Sequence, residues 1–177
     1  MPLSGDFAPW VGALIADVKQ PILLVTENGR EEEAVTRLSR VGFDNVLGHL
    51  QGGFEAWKNS GRKIDTVNRI TADQFANAVV IGTDKVLDIR KESEYAAEHI
   101  EEAYNRPLAY INDWVKDIQP GEHFYMHCAG GYRSMIAASI LQARGFRNFS
   151  EVEGGFSAIS KTEVPKTDFV CQSKVMG

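Results

Sequence analysis

The sequence predicts a three-layer α/β fold in which a mainly parallel central sheet is covered by helices on both faces. Three observations predict it: short apolar runs that alternate with amphipathic segments, glycines at the junctions between them, and a unit of sequence that occurs twice. The chain has 177 residues, of which 44% are hydrophobic, and a net charge of −5. These values allow a substantial core and argue against a nucleic-acid surface.

The repeated unit covers residues 22–57 and 124–159. Each copy contains an apolar run, a helix-forming segment that ends in Gly-Phe, and a Gly-Gly-Phe motif. Only the second copy is preceded by further strands and helices. We therefore expect a partial domain over residues 1–63, a complete domain over 64–165 and a mobile polar tail over 166–177. Either the partial copy packs against the complete domain, or the chain is a piece of a longer protein cut inside its first domain, which is the interpretation we favour.

In the complete domain, runs of four to eight apolar residues predict strands, and longer periodic segments predict helices. The predicted elements are an edge strand at Ile70, a helix over 72–77, a strand over 86–90, a helix over 91–99, a short strand over 103–107, a strand from Phe124 that leads to Cys128, and a helix that begins near Arg133. Strands and helices that alternate at this pitch predict a largely parallel sheet.

The strongest candidate for a functional site lies in residues 122–145, where the pattern predicts a strand, a tight turn and a helix. Cys128 lies at the end of this strand, and Arg133 lies where the helix begins. The unpaired N–H groups of the first helical turn, the flexible Gly130-Gly131 backbone and the Arg133 charge all favour an anion at sulfur. We therefore expect a nucleophilic thiolate rather than a structural thiol. No Gly-Lys-Ser/Thr follows the glycines, which excludes a P-loop.

The spacing Cys-Ala-Gly-Gly-Tyr-Arg, followed by Ser134, resembles the active-site loop of the rhodanese sulfurtransferase family. In that family the cysteine carries a persulfide, and the six-residue loop is one residue shorter than the loop of the related phosphatases. The resemblance implies that Cys128 and Arg133 are catalytic. It also implies a set of residues around the substrate anion: Ala129, Gly130, Gly131, Tyr132 and Ser134. We expect Ser134 to cap the helix as well.

The resemblance covers residues from about 66 to 165 and extends upstream of the loop. Its first-half signature in this sequence is Asp88-Ile-Arg90, Glu94, His99-Ile100, Ala103 and Asn105-Arg-Pro-Leu108. The sequence departs from the family where Glu98 and Glu102 replace the glycines usual around the His-Ile pair. Glutamate adopts a positive φ less readily than glycine, so we expect a modified turn there.

Five further residues receive predictions other than a catalytic role. Asp88 and Arg90 are expected to pair with each other as buried ions rather than to act on substrate. His99 is expected to be hydrogen-bonded at a helix end, and His127 is expected to point away from Cys128 because neighbouring strand residues face opposite sides. Cys171 is interpreted as an incidental thiol of the tail, with sulfur acceptance as the minor alternative.

The first copy is predicted to be inactive because its loop, residues 25–31, contains no cysteine, and Glu31 to Glu33 crowd the start of its helix. A degenerate copy followed by an active one resembles the C-terminal part of metallo-β-lactamase–rhodanese fusion proteins. That resemblance implies an upstream metallo-β-lactamase-like domain, an iron-dependent persulfide dioxygenase, as a possible partner. The four histidines show no metal-ligand spacing, so we expect no metal and no cofactor in this chain.

The expected function is transfer of sulfane sulfur from thiosulfate or a low-molecular-weight persulfide, through a Cys128 persulfide, to a low-molecular-weight thiol or another acceptor. Two alternatives stay open: a non-catalytic interaction or regulatory module, and a thiol enzyme directed at arsenate or phosphate, which the short loop disfavours. Two cysteines without an evident disulfide pattern favour a cytoplasmic location. No apolar run reaches the length of about 18 residues needed to span a bilayer, so no membrane partner is expected.

Overall fold

A computed structural model describes residues 1–81, 84–119 and 121–171 of the chain. The chain divides into two compact units, Met1–Thr66 and Val67–Gly177. None of the helices within the described ranges is long and apolar enough to cross a membrane.

The first unit contains three helices and a two-stranded parallel sheet. Its elements are α1 (Phe7–Leu14), β1 (Ile22–Leu24), α2 (Glu31–Ser39), β2 (Val46–His49) and α3 (Gly53–Asn59). Helix α2 begins with three acidic residues, which match the positive end of the helix dipole. A small core joins α1, β1 and α2 through six buried side chains: Phe7, Val11, Leu24, Ala34, Leu38 and Phe43.

The second unit has five strands and five α-helices within the described residues. They are β3 (Arg69–Ile70), α4 (Ala72–Ile81), β4 (Lys85–Asp88), α5 (Glu92–Ala97), β5 (Tyr104–Asn105), α6 (Ile111–Trp114), β6 (Phe124–His127), α7 (Tyr132–Ala143), β7 (Phe149–Val152) and α8 (Gly155–Ile159). Short 3₁₀ turns, Leu108–Tyr110 and Val115–Asp117, flank α6.

The five strands form one sheet in the order β3-β7-β6-β4-β5, and every pair is parallel. The predicted parallel sheet is therefore confirmed. From β4 the chain moves outward to β5, then returns to β6 and continues in the other direction to β7. The loops that follow β4 and β6 thus diverge at the carboxyl edge of the sheet, and such a switch point is where open α/β sheets place their ligands.

Helices cover this sheet because its strands alternate apolar side chains between two faces. On one face, α4 and α8 pack together through Phe75, Phe156 and Ile159, which form a buried cluster with Val86 and Val152 of the sheet. Helix α7 contacts β7 and the 3₁₀ turn at Leu108, and it buries Ile136, Ala137, Ala138 and Leu141. The second unit is therefore the predicted three-layer α/β fold.

The segment after α8 differs from the mobile tail that we expected after residue 165. Val164 is buried, and the following residues run antiparallel to the segment after α5. The N–H of Thr167 donates to the His99 carbonyl at 2.9 Å, and the N–H of Val170 donates to the Ala97 carbonyl at 2.8 Å. Apolar burial at Val164 and these backbone bonds hold the chain as far as residue 170, and the expected tail over 172–177 lies outside the described residues.

Glu102 adopts a left-handed backbone conformation, with φ of 63°. We expected a modified turn here, and the structure corrects that expectation at Glu102, because the glutamate adopts the positive φ that glycine favours. We expect Glu102→Gly to raise the free energy of unfolding by about 0.5–1 kcal/mol, because the strain of a positive φ exceeds the entropy that glycine adds to the unfolded chain.

Thermal denaturation of the whole chain measures this effect. Glu101→Gly is the matched control, since Glu101 is also exposed but has no positive φ. The control is expected to lower stability by a similar amount, about 0.5–1 kcal/mol. Equal effects of the two substitutions would show that Glu102 carries no strain.

The two units share a distinctive turn. A pair of glycines in left-handed backbone begins a short helix in each unit, Gly52–Gly53 at α3 and Gly154–Gly155 at α8. A Cβ on the second glycine would lie 2.3 Å from the carbonyl oxygen of Thr26 in the first unit and of Cys128 in the second. Thr26 therefore has, within its own unit, the position that Cys128 has within the other.

Candidate active site

The loop that follows β6 holds the sulfur of Cys128 at the carboxyl edge of the sheet. Cys128 is a free thiol and is only 1% exposed. Gly131 has a φ of 103° and precedes α7, which begins at Tyr132. This left-handed conformation turns the chain back, so that the Gly131 N–H donates to Cys128 Sγ at 3.1 Å. The predicted strand, tight turn and helix are confirmed.

The start of α8 holds the same loop from behind. The N–H of Phe156 donates to the Cys128 carbonyl at 2.7 Å, and the N–H of Ser157 donates to the Ala129 carbonyl at 3.0 Å. Gly155 makes this close approach possible because a Cβ there would overlap the Cys128 carbonyl. The loop geometry thus depends on a second glycine-rich segment 27 residues downstream, as well as on the glycines of the loop itself.

Arg133 lies on the first turn of α7, and its guanidinium is held by Glu94 of α5. Arg133 Nη1 and Nη2 donate to the two carboxylate oxygens at 2.5 and 2.8 Å. Glu94 also accepts from the N–H of Lys91 at 3.1 Å, which fixes the carboxylate at the start of α5. The bidentate hydrogen bond raises the pKa of Arg133 and lowers the pKa of Glu94. The charge expected at the loop is therefore present, but it is paired with a carboxylate.

Ser134 does not cap α7, which corrects our prediction. The residue that precedes the helix is Gly131, and Ser134 is the third residue of the first helical turn, where its hydroxyl is buried. The Ser134 Oγ lies 2.6 Å from Glu151 Oε1 and 3.5 Å from Cys128 Sγ. Glu151 is completely buried, and its other oxygen accepts from Arg69 Nε at 2.8 Å. A buried carboxylate is therefore connected to the sulfur through one hydroxyl.

Asp88 and Arg90 form the buried ion pair that the sequence predicted. Arg90 Nη2 donates to Asp88 Oδ2 at 2.6 Å and to the Glu98 carbonyl at 2.8 Å. His99 is hydrogen-bonded as expected, since its Nδ1 lies 2.7 Å from the Tyr95 carbonyl. These residues stabilise the turn after β4 and the end of α5.

His127 is fully buried beside Asp88, with 4.0 Å between Nε2 and Oδ2. Its Nδ1 lies 3.3 Å from the carbonyl of Cys128, and the ring stacks on Phe156. Burial lowers the pKa of His127, so the ring is neutral at pH 7. The unfolded chain binds a proton at His127 more readily than the folded chain does. The contribution of neutral His127 to stability is therefore lost as the pH falls below 6.5, the ordinary pKa of histidine.

Of the predicted site residues, the structure brings Cys128, Gly131 and Ser134 into direct contact. Arg133 contacts Glu94, Ala129 is held by α8, and Gly130 is exposed at the turn. Tyr132 is half-buried and begins α7.

Sequence reasoning missed Glu151 and Gly155, which lie against the loop and the first turn of α7, and Arg69, which bonds to Glu151. One signal was present, since Glu151 interrupts the otherwise small or apolar strand β7, whose four residues are all buried. A charge in such a strand requires a partner. Among residues 1–81, 84–119 and 121–171, no three His, Cys, Asp or Glu side chains are grouped to hold a metal ion.

These features define a class of protein: a parallel α/β domain with a buried cysteine in a glycine-rich loop at the sheet's carboxyl edge, facing the first turn of a helix. The family model for the Rhodanese-like domain matches residues 71–162, and the chain belongs to that family.

Relatives and solved structures agree with this assignment. The HIGH ARSENIC CONTENT 1 protein of Arabidopsis thaliana, described as mitochondrial, is 29% identical over 107 residues, which cover 54% of this chain and 61% of the relative. The tRNA uridine(34) hydroxylase of Staphylococcus saprophyticus is 26% identical over 110 residues, which cover 59% of this chain and 35% of the relative. The chain thus spans less than two thirds of either curated relative. A rhodanese-like domain protein of Staphylococcus aureus superimposes with a TM-score of 0.51 at 28% identity, covering 55% of this chain and 96% of that structure.

Proposed function

We propose that the second unit is a sulfurtransferase that moves sulfane sulfur from thiosulfate or a low-molecular-weight persulfide to a small thiol through a persulfide on Cys128. The observation that carries the proposal is the N–H of Gly131 aimed at Cys128 Sγ at 3.1 Å, in a loop of six residues from Cys128 to Arg133. A backbone donor at this distance stabilises negative charge on sulfur. The loop length favours sulfur over the bulkier phosphate.

In the first half-reaction, the Cys128 thiolate attacks the outer sulfur of the donor. A sulfur–sulfur bond forms on Cys128 while the donor's own bond breaks, and its electron pair leaves with sulfite or with a thiolate. The Gly131 N–H and the first turn of α7 stabilise the resulting persulfide anion. Gly130 and Tyr132 border the loop toward solvent and shape access for the donor.

In the second half-reaction, an acceptor thiolate such as that of glutathione attacks the outer sulfur of the Cys128 persulfide. The electron pair of the breaking bond returns to Cys128 Sγ. Arg133 supplies positive charge at the rim of the loop, and Glu94 fixes its orientation. The Glu94 carboxylate also balances the charge of Arg133. We therefore propose that Arg133 orients the substrate anion in addition to attracting it.

Intact mass spectrometry after treatment with thiosulfate or glutathione persulfide tests the proposal. We expect the native chain and Cys171→Ser to gain a reducible mass of about 32 Da, one sulfur atom, and Cys128→Ser to gain none. Cys171 is the matched control because it is exposed, whereas Cys128 is buried.

Two results would overturn the assignment. Absence of retained sulfur would favour the non-catalytic interaction or regulatory module, and sulfur that depends on Cys171 would remove Cys128 from the mechanism. In the first case, turnover of a phosphate ester would instead favour the thiol enzyme directed at arsenate or phosphate.

The wider context of the chain belongs to the same proposal. We propose that the first unit is an inactive rhodanese-like copy, because Thr26 has the position of the reactive cysteine there and the glycine pair that packs on it is the same. An upstream metallo-β-lactamase-like domain and a cytoplasmic location complete the proposal. They rest on the sequence resemblance and the cysteine usage described above.

A further inference from the structure

Glu151 is the most unusual charged residue of the second unit. It lies in β7 between two strands, has no solvent exposure, and is surrounded by buried neighbours along its own strand. A buried carboxylate is costly unless both oxygens are bonded. Arg69 satisfies one oxygen at 2.8 Å, and Ser134 satisfies the other at 2.6 Å. The second of these contacts leads directly to the reactive thiol.

The contacts assign the hydrogen atoms along the path from Glu151 through Ser134 to Cys128. The Ser134 hydroxyl has one hydrogen and two acceptors close by, Glu151 Oε1 at 2.6 Å and the Gly131 carbonyl at 3.0 Å. The shorter, charge-assisted bond takes the hydrogen. Ser134 then presents an oxygen lone pair to Cys128, so the hydrogen of the sulfur–oxygen contact at 3.5 Å is that of the thiol.

We propose that Glu151 is a positioning residue that holds the proton of Cys128 during sulfur transfer, with Ser134 as the connecting hydroxyl. The inference rests on the proposed function and adds a residue to it. When Cys128 is activated, its S–H bond breaks and the proton moves to Ser134 Oγ. The original Ser134 proton moves to Glu151 Oε1 at the same time, so the products are a thiolate and a neutral carboxyl group.

The same path runs in reverse when the sulfur is released. As the acceptor takes the outer sulfur, the bond electrons return to Cys128 Sγ. Ser134 gives its proton to this thiolate and receives one from Glu151, which becomes a carboxylate again beside Arg69. No oxidant or reductant takes part, and each proton is accounted for. A neutral Glu151 also avoids placing a carboxylate near the persulfide anion.

Other charged or titratable groups lie on the elements that neighbour Cys128, Ser134 and Glu151. They are Arg133 on α7, Glu94 on α5, Asp88 and Arg90 at the end of β4, His127 on β6, Arg69 on β3 and Glu153 after β7. The test must therefore change Glu151 while these groups are retained. Glu153→Gln is the matched control, since Glu153 binds the same Arg69 at 3.1 Å but is half exposed.

The experiment uses the full chain with Cys171→Ser, so that all thiol chemistry reports Cys128. The protein is loaded with glutathione persulfide, and transfer to glutathione is followed by quenched-flow mass spectrometry. We expect Glu151→Gln to slow sulfur release at least tenfold, because the proton for the leaving thiolate is lost. We also expect the midpoint pH of Cys128 alkylation by iodoacetamide to move downward, because a nearby carboxylate is removed.

Ser134→Ala removes the connecting hydroxyl but keeps the charge of Glu151. It is also the test variant to use if Glu151→Gln does not fold. It should slow release to a similar extent without the downward move of the alkylation midpoint, because Glu151 keeps its charge. Glu153→Gln should change neither measurement more than twofold.

Release by Glu151→Gln within twofold of the parent, or effects equal to those of Glu153→Gln, would overturn the inference. If the parent takes up no sulfur, the proposed function fails separately. In that case, the midpoint pH of Cys128 alkylation is compared between the parent and Glu151→Gln. This comparison then decides whether Glu151 controls the Cys128 proton.

Discussion

Replacing Asp88 with Asn is expected to lower the free energy of unfolding of the second unit by about 3–5 kcal/mol. The Asp88 side chain has no solvent exposure, and that of Arg90 has 6%. Arg90 Nε and Nη2 and the Arg90 N–H all donate to the Asp88 carboxylate at 2.6–3.0 Å. An amide has one acceptor oxygen in place of two and no charge, so the guanidinium would stay buried without its counterion.

Urea denaturation followed by Trp114 fluorescence measures this loss, in a background with Trp10→Phe and Trp57→Phe so that only the second unit reports. Asp84→Asn is the control, because Asp84 pairs with His123 near the surface. An exposed pair of this kind contributes about 1 kcal/mol or less. If Asp88→Asn cost no more than Asp84→Asn, the pair would not be the structural element that its burial indicates.

Gly155→Ala is expected to disrupt the loop that holds Cys128 and to lower the free energy of unfolding by about 2–4 kcal/mol, from overpacking and from a positive φ in a residue with a Cβ. The added Cβ would lie 2.3 Å from the Cys128 carbonyl oxygen and 2.9 Å from the Ala129 carbonyl group. These are backbone atoms, so no side-chain rotation relieves the overlap. Displacement of the loop by about 1 Å is expected to slow sulfur uptake about 100-fold.

Gly145→Ala separates backbone strain from overlap. Gly145 has a φ of 90°, but an added Cβ there meets no heavy atom within 4 Å. We expect this control to lose about 1 kcal/mol and to load sulfur at the parent rate. Trp114 fluorescence in urea and the mass assay measure the two effects. Similar losses of sulfur uptake in both variants would contradict the role of Gly155 in holding the loop.

The parts of the site that the sequence predicted are the local ones. Strand, turn and helix around Cys128 follow from apolar periodicity and two glycines within about 20 residues. The pair Asp88 and Arg90 is separated by two positions, and burial of both charges required that they meet. The parallel direction of the strands followed from the alternation of strands and helices. Each of these inferences needed only neighbouring residues and a general rule.

The missed parts depend on register between distant strands. Arg69 and Glu151 lie 82 positions apart and meet because β3 pairs with β7 at that register. Register in a five-stranded sheet is set by the packing of all its neighbours, so no local pattern identifies this contact. We predicted that Ser134 caps the helix because serine favours that position. In the structure, its hydroxyl instead lies within hydrogen-bonding distance of the Glu151 carboxylate and the Gly131 carbonyl.

Strand β6 lies at the centre of the sheet, so the loop that follows it packs against elements from distant parts of the sequence. The loop that carries the sulfur follows β6, and two N–H groups of α8 bind its carbonyls. Glu151 of β7 is connected to the sulfur through Ser134 and is itself bonded to Arg69 of β3. These contacts span nearly 90 residues, and contacts of such long range form late in folding. The chemistry proposed for Cys128 therefore requires that β7 and α8 have packed against its loop.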